Sequence, residues 1–316
     1  MPNYGLPYTG SKNTIAEKII KHFPETDTLV DVFFGGGAIT HCSIVNNKFK
    51  NYIANDIRTT PQFFVECLKG KYSNDLRWVS LEDFKNSPRY DWFVRLLWSF
   101  SNICNIYMYS KKIEPYKKAL HYAVCFNDFS LIKEIYGSEF ANKLETELIT
   151  IPIEQWNHRR LKAQQFISKQ IKEHLYNNDN NPLQNLNGIA RLQNLERLNR
   201  IKDISNSVNN TFNTDTIKIY NLDYKLLNEY IPNNSVVYLD PPYKGTFDYS
   251  KNNSGITKSI KEFLDWAYEI GKQYPTFISE YNIEDNRFKL IDTYNKNCST
   301  GGDGASRVIE KLYTVK

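Results

Sequence analysis

Val236-Val237-Tyr238-Leu239 is an apolar run closed by Asp240-Pro241-Pro242-Tyr243, a pattern that predicts a buried strand stopping at the prolines. Each proline removes a ladder donor and fixes its own φ, so neither continues a central strand. Thr28 to Phe34 reads as a second strand, followed at once by Gly35-Gly36-Gly37 and an apolar helix over Ala38 to Val45. Tyr52-Ile53-Ala54 is a third, ending in Asn55-Asp56-Ile57. Thr276 to Ser279 is a further strand, and Phe288 to Tyr294 with Val308 to Val315 predict a terminal hairpin. Helices are expected over Ile15 to His22, opened by a capping box of Thr14 and Glu17, and over Thr60 to Lys71. Amphipathic periodicity predicts others over Trp156 to Tyr176, Leu186 to Ile204 and Ser259 to Gln273. Asn206 to Thr216 is polar and reads as a linker.

This alternation of strands and helices predicts an α/β fold with a mainly parallel sheet. A helical insertion over residues 71–215 would separate two parts of a catalytic domain, 1–70 and 216–316. With 316 residues and 41% hydrophobic content, the chain has material for a large core. A net charge of +5 permits a polyanionic partner without requiring one. The five cysteines are scattered and lack CxxC spacing, so neither a disulfide framework nor a metal site is expected. Met1 to Gly10 has no basic and apolar leader pattern, and no apolar run is long enough to span a bilayer. These features suit a cytoplasmic protein, monomeric or weakly dimeric.

The strand ends carry the chemistry. Ligands of open α/β sheets bind at the carboxyl ends of strands. There Asp240 and the Pro241 carbonyl can accept hydrogen bonds from an amine while Tyr243 stacks on its ring. A flipped adenine is such a group. The glycine turn lets a ligand approach the main chain, and Asp56 follows Gly35 by about 20 residues, the separation expected of a ribose-binding acid. The turn lacks the GxGxxG spacing of a diphosphate cradle, so a nucleoside-type cofactor without a diphosphate fits better. Gly10, Ser11 and Lys12 precede the first helix and form a candidate anion site there.

From Tyr90 onward Trp92, Phe93, Trp98, Phe100, Tyr107 and Tyr109 are interleaved with Asn102 and Asn105 and followed by Lys111, Lys112, Lys117 and Lys118. Lysines can neutralise phosphates, amides can read base edges, and a ring can wedge into a base step. An ordinary helix core with a solvated lysine face explains the same pattern. Arg159, Arg160, Arg191, Arg197 and Arg200 are likewise either phosphate contacts or solvated surface.

Tyr8-Thr9-Gly10-Ser11-Lys12, Asp31-Val32-Phe33-Phe34-Gly35-Gly36-Gly37, Asn55-Asp56-Ile57 and Asp240-Pro241-Pro242-Tyr243, in that order, resemble the Dam-type DNA adenine N6-methyltransferases. The resemblance implies a Rossmann-like methyltransferase sheet with helices on both faces, a terminal antiparallel hairpin and an inserted recognition domain. It implies S-adenosylmethionine as methyl donor, S-adenosylhomocysteine as product, and double-stranded DNA as substrate. A restriction endonuclease acting separately is a conceivable companion, in a bacterial or phage-infected cell. Position by position, it assigns cofactor contacts to Tyr8, Gly10, Ser11, Lys12, Asp31, Phe33, Gly35, Gly37, Asp56, Ile57, Asp223, Tyr224 and Asp240. Tyr224 stands where the family usually has Phe. The catalytic group would be Asp240, Pro241, Pro242 and Tyr243. Ser101-Asn102 after Phe100 is similar to a short element of the family's recognition domain, so DNA contacts are expected from Asn102, Asn105, Lys111, Lys112, Arg159 and Arg160. Two alternatives remain beside it: the same cup on cytosine N4, RNA adenine or a protein amide, and a non-catalytic DNA-binding relic of the fold.

Overall fold

The computed structural model describes residues 3–175, 191–208, 212–242, 260–280, 282–298 and 306–316. The chain divides into two compact units, residues 1–70 with 203–316, and residues 71–202.

The first unit is built on seven strands: β1 (Thr28–Asp31), β2 (Asn51–Asn55), β3 (Ile217–Tyr220), β4 (Ser235–Leu239), β5 (Thr276–Glu280), β6 (Phe288–Cys298) and β7 (Ser306–Val315). They form one sheet in the order β3-β2-β1-β4-β5-β7-β6. β3, β2, β1, β4 and β5 run parallel, while β7 lies antiparallel to both β5 and β6. The mainly parallel sheet and the terminal antiparallel hairpin expected from the sequence are both present. β1 and β4 are neighbours although far apart in sequence, and the chain leaves them in opposite directions across the sheet. Their carboxyl ends therefore flank a topological switch point, where such sheets bind ligands.

Every residue of β4 is buried, which explains its unbroken apolar run. One face of the sheet presents Val30, Val237, Leu239 and Ile278 to Phe263, Leu264, Ala267 and Ile270 of a helix over Ile260–Gly271. On the other face Phe23 packs at 5.9 Å from Tyr238 and 5.0 Å from Phe277. The other helices of this unit's N-terminal part are α1 (Ala16–Ile20), α2 (Ala38–Val45) and α3 (Thr60–Leu68). α2 starts at Gly37, whose φ is +69°; a Cβ there would also enter the Phe34 ring, so both conformation and space favour glycine.

α1 departs from expectation. It has five residues, and no side chain caps it. Glu17 accepts instead from the Tyr4 hydroxyl at 2.7 Å, so the capping box does not form, and Lys12 turns inward. The chain also rejoins the first unit at Asp203, ahead of residue 216. The segment is anchored there: the buried His41 accepts from Gly5 N at 2.8 Å through Nδ1 and meets Ser207 Oγ at 2.6 Å through Nε2. β3 was not predicted; at four residues, with only Ile217 buried, it is an edge strand too short to show a pattern.

The second unit is helical: α4 (Leu81–Asn86), α5 (Trp92–Leu97), α6 (Glu114–Phe126), α7 (Ser130–Tyr136), α8 (Ser138–Leu148) and α9 (Trp156–Leu175), followed by α10 (Gln193–Asn206), which runs across the boundary. The helix over Ile260–Gly271 is α11. α9 and α10 touch through Arg160 and Glu196 at 3.2 Å. Among the described residues no helix is long and apolar enough to cross a membrane.

Candidate active site

The site lies within the first unit. Lys12 Nζ donates to both oxygens of Asp240, at 2.6 and 2.7 Å. The sequence pairs these two residues only through their motifs; the fold brings them together across 228 positions. Lys12 is 3% exposed and the Asp240 side chain 20%, so the acid alone reaches solvent. Asp240 stands one residue beyond β4 and is fixed by Pro241, which is buried, and the half-buried Pro242. Tyr243 lies outside the described residues.

A second carboxylate, which no motif indicated, faces the same ammonium. Glu310 Oε1 is 3.5 Å from Lys12 Nζ and its side chain is fully buried. The signal was present in the alternation of β7: Glu310 shares a strand face with Leu312, which is also fully buried. Burial by itself pushes the Lys12 pKa down, but attraction to Asp240 and Glu310 outweighs it and holds the amine above its usual 10.5.

Asp31 ends β1 beside these groups. Its Oδ2 accepts from the Thr40 hydroxyl at 2.8 Å, and its Oδ1 is buried with no hydrogen-bond partner among the described residues. Burial pushes the carboxyl up to about 7; the Thr40 bond opposes this and repulsion from Asp240 and Asp56 adds to it. The folded chain thus keeps a proton that an unfolded aspartate releases at about pH 4. Stability of the ligand-free protein should therefore fall as pH rises from about 4 to about 7. Asp31→Asn should flatten that decline in urea midpoints; an unchanged slope would contradict the assignment.

Asp56, at the end of β2, accepts from Gly35 N at 2.7 Å and from Arg58 N at 2.9 Å. The ribose acid of the sequence reading thus also braces the glycine turn. Gly35 has φ +51°, and a Cβ there would find only ordinary contact with the Tyr8 ring, 3.4 Å away. The Tyr8 hydroxyl accepts from Arg58 at 3.0 Å. Gly10 is exposed, with φ +81° and open space where a Cβ would stand. Ser11 bonds locally, accepting from Asn13 N at 3.3 Å, and α1 is too short for the anion site expected there. Phe33 is half-buried and packs 5.6 Å from Tyr224, whose ring is held by Phe263 and Trp266. Tyr224, expected beside the cofactor, is a packing ring in this cluster. Asp223 caps the turn that follows, accepting from Lys225 N at 3.0 Å, and Ile57 is exposed.

Three carboxylates at the ends of β1, β2 and β4, one of them with a buried unpartnered oxygen, suit a cationic ligand. Beside them lie a glycine turn and aromatic rings. S-adenosylmethionine carries a sulfonium, an ammonium and no diphosphate, so the residues present fit it. Among the described residues no group of acids, histidines and cysteines could hold a metal ion.

In the second unit the residues expected at DNA separate into two sets. Asn105, Lys111 and Lys112 are exposed. Asn105 lies in, and Lys111 and Lys112 follow, a loop closed by Phe100 N to Ile106 O at 2.7 Å and Met108 N to Trp98 O at 2.9 Å. Phe100 and Ile106 stand 57% and 56% exposed on it, and Ser101, Asn102 and Cys104 all have left-handed φ. Asn102 braces this turn, donating to Leu96 O at 3.2 Å. Trp92, Phe93, Trp98, Tyr107 and Tyr109 are buried; they form helix core, and Phe100 is the ring that faces solvent.

Arg159 and Arg160 correct the expectation of phosphate contacts. Arg159 is 1% exposed. Its guanidinium donates to the carbonyls of Ala123, Val124, Leu148 and Ile151 and to Asn127 Oδ1, at 2.7–2.9 Å. It caps the ends of α6 and α8, where carbonyls lack helical partners. Arg160 is 8% exposed and is taken by Asn157 and Glu196.

No curated protein matches the chain. Among solved structures, the rRNA methyltransferase aviRa from Streptomyces viridochromogenes is similar at 11% identity, covering 95% of this chain and 83% of that one, with a TM-score of 0.29. That likeness is too loose to bear on activity. The model of the D12 class N6 adenine-specific DNA methyltransferases matches residues 8–188, more than half of the 316 residues. With the motif order and the methyltransferase sheet in place, the chain belongs to the D12 class N6 adenine-specific DNA methyltransferase family.

Proposed function

We propose that Asp240 and the Pro241 carbonyl hold the N6 amine of an adenine flipped out of duplex DNA, and that the crevice of Asp31, Gly35 and Asp56 holds S-adenosylmethionine. When bound, that cofactor supplies a methyl group on a cationic sulfur. The observation that carries the reading is the Lys12–Asp240 pair at the switch point between β1 and β4. It fixes a carboxylate at the rim of an acidic, glycine-lined crevice.

The amine is a poor nucleophile because its lone pair is delocalised into the ring. Hydrogen bonds from N6 to Asp240 and to Pro241 O favour a pyramidal nitrogen and stabilise the positive charge that grows on it during attack. The N–C bond forms as the S–C bond breaks, and the nitrogen then releases one proton. Fixing the acceptor amine by residues locked between prolines contributes through proximity, for which effective molarities reach about 10⁵ M or more. Asp56 and Asp240 offer negative charge to the cationic ligand, Asp31 joins them as it releases its proton near pH 7, and the neutral product is held more weakly. DNA is met by the exposed Asn105, Lys111 and Lys112, with Phe100 at the base of the loop as a ring able to enter an unstacked step. A restriction endonuclease partner and a monomeric or weakly dimeric state remain part of this reading.

Incubation with duplex DNA and labelled cofactor, followed by nucleoside mass spectrometry, tests the reading. N6-methyladenine is expected. Label in N4-methylcytosine, or in RNA alone, would move the substrate assignment, and no transfer at all would favour a binding relic.

A further inference from the structure

Lys12 is held between two carboxylates, Asp240 beyond β4 and Glu310 in β7, two strands away in the sheet. A second buried acid is costly to desolvate, and an apolar residue of similar volume would pack as well. A requirement beyond packing is therefore indicated. We propose that Glu310 is a positioning residue that takes up the Lys12 ammonium when the Asp240 carboxylate turns to the substrate amine. The proposal rests on the role given to Asp240 above.

Without substrate, Lys12 donates to both Asp240 oxygens at 2.6 and 2.7 Å, so an incoming amine competes with two charge-assisted bonds. Glu310, at 3.5 Å, lowers the cost of that exchange. As Nζ moves toward Glu310, one ionic contact strengthens while another weakens, and the buried ammonium keeps a counter-charge throughout. No proton moves and no covalent bond changes. The charged and titratable groups around Lys12 are Asp240 from the end of β4, Glu310 from β7 and Asp31 from the end of β1, with the Tyr238 hydroxyl near all three acids. Removing Glu310 weakens the attraction that keeps Lys12 protonated, so the alkaline loss of activity should begin at lower pH.

The test compares wild type, Glu310→Gln and Glu310→Asp by kcat, by KM for DNA and cofactor, and by pH profile. For Glu310→Gln, kcat should fall about tenfold or more with both KM values within about twofold of wild type. Its alkaline limb should move to lower pH, and Glu310→Asp, which keeps the charge, should recover part of the lost rate. A folded Glu310→Gln protein with wild-type kcat and an unmoved limb would overturn the proposal, as would raised KM values with an unmoved limb. Should Glu310→Gln not fold, Glu310→Asp decides by its rates: a lowered kcat with both KM values unchanged supports the proposal, and a wild-type kcat overturns it. An active Asp240→Ala enzyme would remove the underlying reading as well. An inactive Asp240→Ala beside an unaffected Glu310→Gln removes only the proposal.

Discussion

Asp240→Ala is expected to lower methyl transfer to DNA by at least about 10²–10³-fold, the scale seen when one preorganised charge-stabilising group is removed. The substitution deletes the carboxylate that meets the amine and leaves Pro241 O as the only acceptor of the pair. The loss should appear in kcat, because the interaction matters most as charge develops on nitrogen. Cofactor binding should be weakened or intact, since Asp31 and Asp56 remain. Tritium transfer under single-turnover conditions, with cofactor binding followed by calorimetry, checks both halves. Residual methylation above a tenth of the wild-type rate would reject Asp240 as the catalytic acid.

Arg159→Met is expected to be the most destabilising single change in the second unit. The guanidinium serves five oxygens, four of them carbonyls of α6, α8 and the turn after α8. Methionine approximates the length of the aliphatic stem but supplies no donor, so those acceptors stay buried without their partner. At about 1–3 kcal/mol for each buried group left unsatisfied, and with some relaxation, a loss of about 3 kcal/mol or more follows. Chemical unfolding monitored by circular dichroism measures it. A change within about 0.5 kcal/mol, the range of an ordinary surface substitution, would show that the network is dispensable.

The central strands were legible because their chemistry is one-dimensional. Val236 to Leu239 is apolar throughout since β4 is covered on both faces, and the prolines mark its end in the letters themselves. The same holds for Thr28–Asp31 before its glycines and for the hairpin of β6 and β7. Glu310 was not singled out because it carries no motif and sits in an alternating strand at the edge of the chain's motif-bearing core; only its phase with Leu312 marks it as inward. Arg159 was misread for the converse reason. Arginine clusters suggest a phosphate surface, yet Arg159 falls in helical register with the buried Trp156, Ala163 and Phe166, a stripe that points into the unit. The aromatic run from Trp92 to Tyr109 gave two readings because rings serve cores and nucleic acids alike. Burial resolved them individually, leaving Phe100 as the ring at the surface.

The most direct test of the account is a crystal structure of the protein with S-adenosylhomocysteine and a duplex bearing its target adenine. The account predicts an extrahelical adenine with N6 within about 3 Å of an Asp240 oxygen and of Pro241 O, the distance of a normal hydrogen bond. An adenine amine held elsewhere, with Asp240 still bound through both oxygens to Lys12, would contradict it.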